Sequence, residues 1–145
     1  MTGKSRSHAL FPLQLAAACT PLVLPQVEAL GAALFRELPL IVHRKLVPTA
    51  LQWAANMRLE QPAARNIIEV DDMFAVARAA ERGIGVALLP TITAASWFAS
   101  GALTRAFCSE VTTGESYYLA YREEDIRRDE VRALRDWALN EFQQA

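Results

Sequence analysis

The sequence has few of the residues from which catalytic and metal centres are built. Its 145 residues include two cysteines and two histidines. Cys19 and Cys108 have neither metal-ligand spacing nor the company of a disulfide framework, which favours buried free thiols in a reducing compartment. Paired carboxylates at a shared site, a metal cluster and a nucleophile elbow are also missing. The sequence therefore indicates no catalytic residue, no metal site and no cofactor.

An excess of charge of either sign is lacking too. Fifteen Lys and Arg residues stand against sixteen Asp and Glu residues, for a net charge of -1. This balance argues against nonspecific binding to nucleic-acid phosphates as the main activity. No apolar run is long enough to span a membrane, and no internal repeat or low-complexity segment is present. With 52% apolar and 21% charged residues, the composition predicts a single soluble globular domain.

One stretch near the middle of the chain predicts a complete helix-strand unit. Asp71 and Asp72 precede a helix that begins at about Met73, where short carboxylates cap the free N–H groups of the first turn. Gly83 is suited to the left-handed position that ends such a helix. The continuous apolar run Ile84–Leu89 is then typical of a strand covered on both faces.

The remaining apolar segments predict further strands and helices. Residues 1–9 are small and polar and are expected to be a disordered tail, with the folded domain at residues 10–145. Three tryptophans at helical spacings are expected in the core. Further strands are predicted at Leu38–Val42, Asn66–Val70, Leu103–Phe107 and Tyr117–Tyr121, the last two separated by a turn at residues 112–115. Helices are predicted at Pro25–Leu30, around Leu51–Arg58, from a Thr91 or Thr93 cap through Phe98 to a stop at Gly101, and from Asp129.

Polar side chains follow the strand that is predicted to end at Val42. His43, Arg44 and Lys45 lie between it and the next helix, and ligands of open α/β sheets collect at strand carboxyl ends and helix N-termini. The cationic trio suits a small anionic effector. Alternatively, His43 is a polar residue at a strand end that takes no part in binding or catalysis, and Arg44 and Lys45 are solvated surface residues.

Two further places complete the set of candidate effector-binding residues. Asp71 and Asp72 are helix caps first, with a ligand contact as the alternative, and Thr20, directly before Pro21, is the remaining candidate. Any histidine-based catalysis would have to use His43, which is the only histidine in the predicted folded part. The Gly-Ile-Gly sequence from Gly83 is not a dinucleotide fingerprint, because it follows a helix instead of opening one.

The helix-strand unit also carries a family resemblance. The segment from Ala80 to Pro90, AERGIGVALLP, resembles an element of the effector-binding domain of LysR-type transcriptional regulators. The resemblance covers about residues 10–142. Other matches fall in the family's order: Pro39-Leu40-Ile41 as a strand, Trp53 in the next helix, Gly101-Ala102-Leu103 after a short helix, and Tyr117-Tyr118-Leu119 leading to Arg135-Asp136-Trp137.

The resemblance implies an α/β fold like that of the type 2 periplasmic binding proteins, with two lobes and a small-molecule cleft between them. This chain would hold mainly the second lobe plus the C-terminal strand and helix of the first. The family's winged helix-turn-helix has no match here, so DNA would be bound only through a domain absent from this chain. The implied function is a cytoplasmic, non-catalytic effector-binding module. The effector, the target genes and the choice between a processed fragment and a truncated gene stay open.

Two other functions and one assembly are considered. Ala9–Ala18 followed by Cys19 can be interpreted as a lipoprotein signal, which would make the chain a fragment of a periplasmic solute-binding component of a transporter. A small enzyme is the third possibility, without a supporting constellation. Because few sequence neighbours cover Tyr117–Tyr121 and the apolar face of the last helix, the chain is also expected to form a two-fold homodimer.

Overall fold

The computed structural model describes residues 4–142 and, within that range, all side chains except those of residues 108–110. The described part contains five strands and six α-helices joined by short 3₁₀ turns and loops. In chain order they are β1 (Ser5–Cys19), α1 (Leu24–Leu30), α2 (Leu34–Glu37), β2 (Leu40–His43), α3 (Val47–Asn56), β3 (Ile67–Val70), α4 (Met73–Glu81), β4 (Val86–Pro90), α5 (Thr91–Ser100), β5 (Thr104–Arg122) and α6 (Asp129–Phe142).

The chain divides into two compact units. The larger unit comprises residues 14–111 and holds α1 to α5 with β2, β3 and β4. The smaller unit has its described residues at 4–13 and 112–142 and contains α6. Both β1 and β5 continue from one unit into the other, so each unit contains part of these two strands.

The larger unit is built on a mixed sheet with the strand order β3-β2-β4-β1-β5. β2 pairs in parallel with β3 and β4, and Leu40 lies opposite both Ile67 and Val86. β1 runs antiparallel to β4, with Leu15 opposite Pro90. The carboxyl ends of β2, β3 and β4 therefore lie along the same side of the sheet, which we call the carboxyl edge. Because β1 is antiparallel to β4, β1 enters the larger unit at the carboxyl edge and ends at the opposite edge.

Apolar side chains on both faces of the sheet explain why the strands read as continuous apolar runs. Ile41 of β2 and Leu89 of β4 face α4 and α5 and join one buried cluster. Since side chains alternate along a strand, Leu40 and Val42 point to the other face, and they too are fully buried. Trp53 of α3 completes the core, with edge-to-face contacts to Phe35 and Phe107 at ring-centroid distances of 6.3 and 5.7 Å.

The predicted stop of α4 is confirmed in detail. Gly83 has φ +79°, which is the left-handed conformation that glycine adopts without steric cost. Its N–H donates to the carbonyl of Ala80 at 2.9 Å, and the N–H of Ile84 donates to that of Ala79 at 3.2 Å. These two bonds form a Schellman motif, which satisfies the last free carbonyls of the helix.

The smaller unit is held by pairs between residues more than 100 positions apart. The ring of Phe11 on β1 lies 4.5 Å from that of Tyr117 on β5 and 5.1 Å from that of Phe142 on α6. The N–H of Glu123 donates to the carbonyl of Lys4 at 2.8 Å. The beginning of β1 is therefore tied to the end of β5.

This pairing corrects the expectation of a disordered tail. Residues 5–9 are the first part of β1, and residues 1–3 lie outside the described part. The small polar residues of this segment carry no strand signal of their own. The strand forms because β5, distant in sequence, offers a neighbour for it.

The prediction of two separate strands after α5 is also wrong, since β5 runs without interruption from Thr104 to Arg122. The expected turn is reduced to a local irregularity at Gly114, which has φ +81°. Beside it the Thr113 hydroxyl accepts from the N–H of Glu115 at 3.1 Å and donates to the carbonyl of Leu13 at 2.9 Å. Pairing with the 15-residue β1 therefore overrides a local turn signal.

Expectations about α5 and about the tryptophans are partly confirmed and partly wrong. Gly101 ends α5 in the left-handed conformation as predicted, but α5 begins directly after Pro90 without a capping hydroxyl. Trp53 is buried and Trp97 half-buried, whereas Trp137 is 57% exposed, so the prediction of a core position is wrong for Trp137. The side chain of Cys108 lies outside the described ones.

Candidate functional site

Five of the six candidate residues lie together at the carboxyl edge. His43 is the last residue of β2 and lies opposite Val70, the last residue of β3. The parallel pairing of the two strands therefore places the His43-Arg44-Lys45 segment beside the Asp71-Asp72 segment.

The imidazole of His43 ties the two strand ends together. Its Nδ1 accepts a hydrogen bond from the backbone N–H of Lys45 at 3.1 Å, and its Nε2 lies 3.0 Å from the carbonyl oxygen of Asp71. Since a carbonyl only accepts, Nε2 must carry the hydrogen, which makes His43 the neutral Nε2–H tautomer in this arrangement. Both ring nitrogens are used, so a ligand would reach the ring by its face or edge.

An ion pair lies next to this bridge. The Nε of Arg44 is 3.2 Å from a carboxylate oxygen of Asp71. The side chains are 65% and 72% exposed, respectively, so water screens the pair and it contributes little stability. Arg44 is therefore available to exchange Asp71 for the carboxylate of a ligand.

The neighbouring charges have different roles. Asp72 caps α4, with a carboxylate oxygen accepting from the N–H of Phe74 at 2.9 Å, so the predicted capping role is confirmed for this residue. Lys45 is exposed and forms no ion pair with any carboxylate that the structure describes. Two cations and two carboxylates thus share the site, and the carboxylates already have protein partners.

Thr20 does not join the other five residues. It follows Cys19 at the end of β1, beyond the pairing of Ala18 with Ala87 near the start of β4. It is buried, and it lies close to Gly83. Because β1 is antiparallel to β4, Thr20 lies at the edge opposite to His43, and the two positions cannot contact one small ligand.

The other reactive groups of the larger unit are structural. Cys19 is a fully buried free thiol, and desolvation, with a smaller effect of Glu28, raises its pKa to about 11. It stays protonated and unreactive near neutral pH. Ala9–Ala18, the possible lipoprotein signal, is part of β1. Among the side chains described, no three His, Cys, Asp or Glu residues are grouped to hold a metal, and within residues 4–142 no helix could cross a membrane.

Sequence reasoning missed a cavity in the smaller unit, whose volume is about 250 Å³. None of the six candidate residues lines it. The assumption that residues 1–9 are disordered concealed it, because two of its residues lie there and one of them, His8, is a second histidine in the folded part. Residues 5–9 do not alternate between apolar and polar side chains, so no local pattern pointed to this cavity. The lining residues are Arg6, His8, Tyr121, Glu123, Ile126 and Arg135.

Comparisons with known proteins agree on one family. Residues 3–143 match the family model described as the LysR substrate binding domain. The chain is 33% identical over 131 residues to the HTH-type transcriptional activator AmpR of Pseudomonas aeruginosa, covering 90% of this chain and 43% of AmpR. The chain thus spans less than half the length of that relative.

The fold is similar to that of solved effector domains. The effector domain of AmpR from Pseudomonas aeruginosa has a TM-score of 0.80 at 28% identity, over 98% of this chain and 69% of that one. The AmpR effector-binding domain from Citrobacter freundii has a TM-score of 0.79 at 17% identity, over 99% and 72%. These structures have the type 2 periplasmic-binding-protein fold, which confirms the predicted fold class. They favour the regulator domain over the transporter component, and the chain belongs to the family of LysR substrate-binding domains.

Proposed function

We propose that this chain is the small-molecule effector-binding part of a LysR-type transcriptional regulator and acts as a regulatory module without catalysis. The observation that carries the proposal is the match of residues 3–143 to the LysR substrate-binding domain. The described side chains support binding over catalysis, because the imidazole nitrogens of His43 are occupied by backbone partners, and burial keeps the Cys19 thiol, at the opposite edge, protonated. The buried free thiol also fits a reducing, cytoplasmic location.

The proposed effector site is the carboxyl edge between the ends of β2 and β3. It comprises His43, Arg44, Lys45, Asp71 and Asp72, and it leaves out Thr20, which lies at the other edge. The lysine and the exposed guanidinium can receive an anionic group, while the bridge from His43 to Asp71 keeps the two strand ends at a fixed spacing. A small anionic effector is therefore the ligand that these side chains favour.

A calorimetric titration of this chain with succinate tests the site. Arg44→Ala should weaken binding about fivefold to tenfold, at the low end for a charged hydrogen bond, because the guanidinium is 65% exposed. Arg65→Ala is the matched control, since Arg65 lies just before the start of β3 and so at the opposite edge. Equal affinities of the parent and the Arg44 variant would place the anion site elsewhere.

The proposal also covers DNA binding and assembly. The net charge of -1 gives this chain little counterion release, so sequence-specific DNA contact is assigned to a separate helix-turn-helix domain of the regulator. Submicromolar, sequence-dependent binding in a mobility-shift titration of this chain would contradict that assignment. A homodimer is proposed as the working assembly.

A further inference from the structure

The cavity of the smaller unit is bounded by two pairs that join β1 to the end of β5 and to the turn after it. Arg6 and His8 lie two residues apart on β1 and so on one face of it. A guanidinium nitrogen of Arg6 donates to a carboxylate oxygen of Glu123 at 3.1 Å. The ring of His8 stacks on that of Tyr121 at 5.7 Å, and its Nε2 lies 3.0 Å from the phenol oxygen. The two pairs therefore place polar groups side by side in the lining of the cavity.

Arg135 of α6 closes the cavity with a second guanidinium. Through its Nε it donates to the Asp136 carboxylate at 3.0 Å. The neighbouring Tyr121 phenol and the Asp136 carboxylate raise its pKa above the ordinary arginine value, so it stays positively charged. The side chain is only 27% exposed, in contrast to most arginines that form ion pairs in this chain. Its guanidinium is therefore partly shielded from water, and Asp136 orients it through Nε.

Each of the two guanidinium groups has more N–H donors than its hydrogen bonds within the protein use. Each carries five N–H groups in a fixed plane. Arg6 uses one of them for Glu123, while Nε and a terminal nitrogen of Arg135 share a single oxygen of Asp136. The cavity wall thus contains two cations and one carboxylate, Glu123, which Arg6 already pairs. This balance favours an anion over a cation.

We propose that this cavity is a second small-molecule site, distinct from the carboxyl edge, and that it binds a small monocarboxylate with a short apolar body. Arg135 and Arg6 donate to the carboxylate, and Ile126 contacts the apolar part. A volume of about 250 Å³ lies just below the roughly 300–1,000 Å³ of pockets for drug-sized ligands, which restricts the ligand to a few heavy atoms. The combination of an apolar wall with a few convergent polar groups is typical of such pockets.

The test is a titration of the whole chain with isovalerate, followed by amide chemical shifts. Isovaleramide, which has the same shape without the charge, is the control ligand. Saturable shifts are expected at His8, Tyr121 and Glu123. Arg135→Gln should weaken binding about tenfold, the effect of losing a charged hydrogen bond from a partly shielded group, and Arg6→Gln about fivefold, because its side chain is 62% exposed. Arg132→Gln is the matched control, since Arg132 lies on the same helix but pairs with Asp129 and does not line the cavity.

The outcomes also separate this site from the proposed effector site. Arg44→Gln should leave isovalerate binding unchanged. If Arg44→Gln removes binding and Arg135→Gln does not, the carboxylate binds at the carboxyl edge, which overturns the second site and supports the first. Shifts that never saturate, or equal affinities for isovalerate and isovaleramide, also overturn the proposal.

Discussion

At the scale of single residues, Gly85 shows how one missing side chain sets the spacing of a strand. The N–H of Val86 donates to the Pro39 carbonyl at 3.0 Å, which brings that carbonyl against Gly85. A Cβ at Gly85 would overlap the Pro39 carbonyl oxygen and lie 3.1 Å from its carbon. Because these obstacles are backbone atoms, no rotation of a side chain relieves them.

Gly85→Ala should therefore lower the free energy of unfolding by about 1–3 kcal/mol through overpacking, and Gly85→Val should lower it further. Chemical denaturation of each variant measures this difference. Gly101→Asn is the control, since Gly101 has φ +81° with open space around it, and asparagine tolerates that conformation. An alanine variant as stable as the parent would show that the strand can shift away from Pro39.

Some residue roles were predictable because their cause is local. Asp72 caps α4 and Gly83 ends it, since a cap depends on only a few neighbouring residues. The exposure of Trp137 depends on what the whole fold places near α6, and helical spacing alone does not contain that information. The different roles of Asp71 and Asp72 could not be predicted either. Asp71 forms an ion pair only because the fold places Arg44 beside it.

At the scale of elements, the ends of β2 and β3 are joined by one side chain. His43 accepts from the N–H of Lys45 and donates to the carbonyl of Asp71, so the imidazole links the last residue of one strand to the turn after the other. The sequence places a histidine at a strand end but does not reveal its partners. Those partners follow from the parallel register, in which His43 is opposite Val70.

His43→Phe removes both hydrogen bonds while keeping an aromatic ring. The amide of Lys45 should then exchange its hydrogen up to about tenfold faster, because a net hydrogen bond of about 0.5–1.5 kcal/mol is lost. Hydrogen exchange followed by NMR measures this rate. His8→Phe is the matched control, as His8 lies in the smaller unit and should leave the Lys45 rate unchanged. An unchanged rate in His43→Phe would mean that another group protects this amide.

The elements that the sequence misjudged are the two long strands. β1 begins at Ser5, within a segment that lacks apolar character, and β5 runs through residues that signal a turn. Each strand is stabilised by a neighbour far away in sequence, as the bond from Thr113 to Leu13 shows. Strand formation depends on such neighbours more than helix formation does, and a local pattern cannot supply them.

At the scale of the whole molecule, the fold class and the family were predicted from the resemblance of the Ala80–Pro90 segment, with further motifs in the family's order, to LysR-type effector-binding domains. The position of the carboxyl edge followed from the helix-strand order, because parallel strands end together. The exclusion of Thr20 did not follow, since it depends on the antiparallel direction of β1. The cavity at Arg6 and Arg135 depends on residues from both ends of the chain, and only the folded structure brings them together.

Uncovered apolar side chains in the smaller unit lead to a prediction about assembly. Tyr118, Leu134 and Trp137 are each more than half exposed, although large apolar residues are the ones that most favour burial. A second copy of the chain can cover them through a two-fold contact. We therefore expect sedimentation at micromolar concentration to show a species of twice the 16.0 kDa chain mass.

Adding charge to the apolar face of α6 should prevent this association. The double variant Leu134→Asp with Trp137→Asp should sediment as a 16.0 kDa monomer, because the contact would have to bury two unpaired carboxylates. Leu22→Asp is the control, since Leu22 is 89% exposed in the larger unit, outside that face. If the parent chain is itself monomeric and binds no dye for apolar surface, the dimer is ruled out. If Leu22→Asp alone yields monomers, the contact lies on the larger unit.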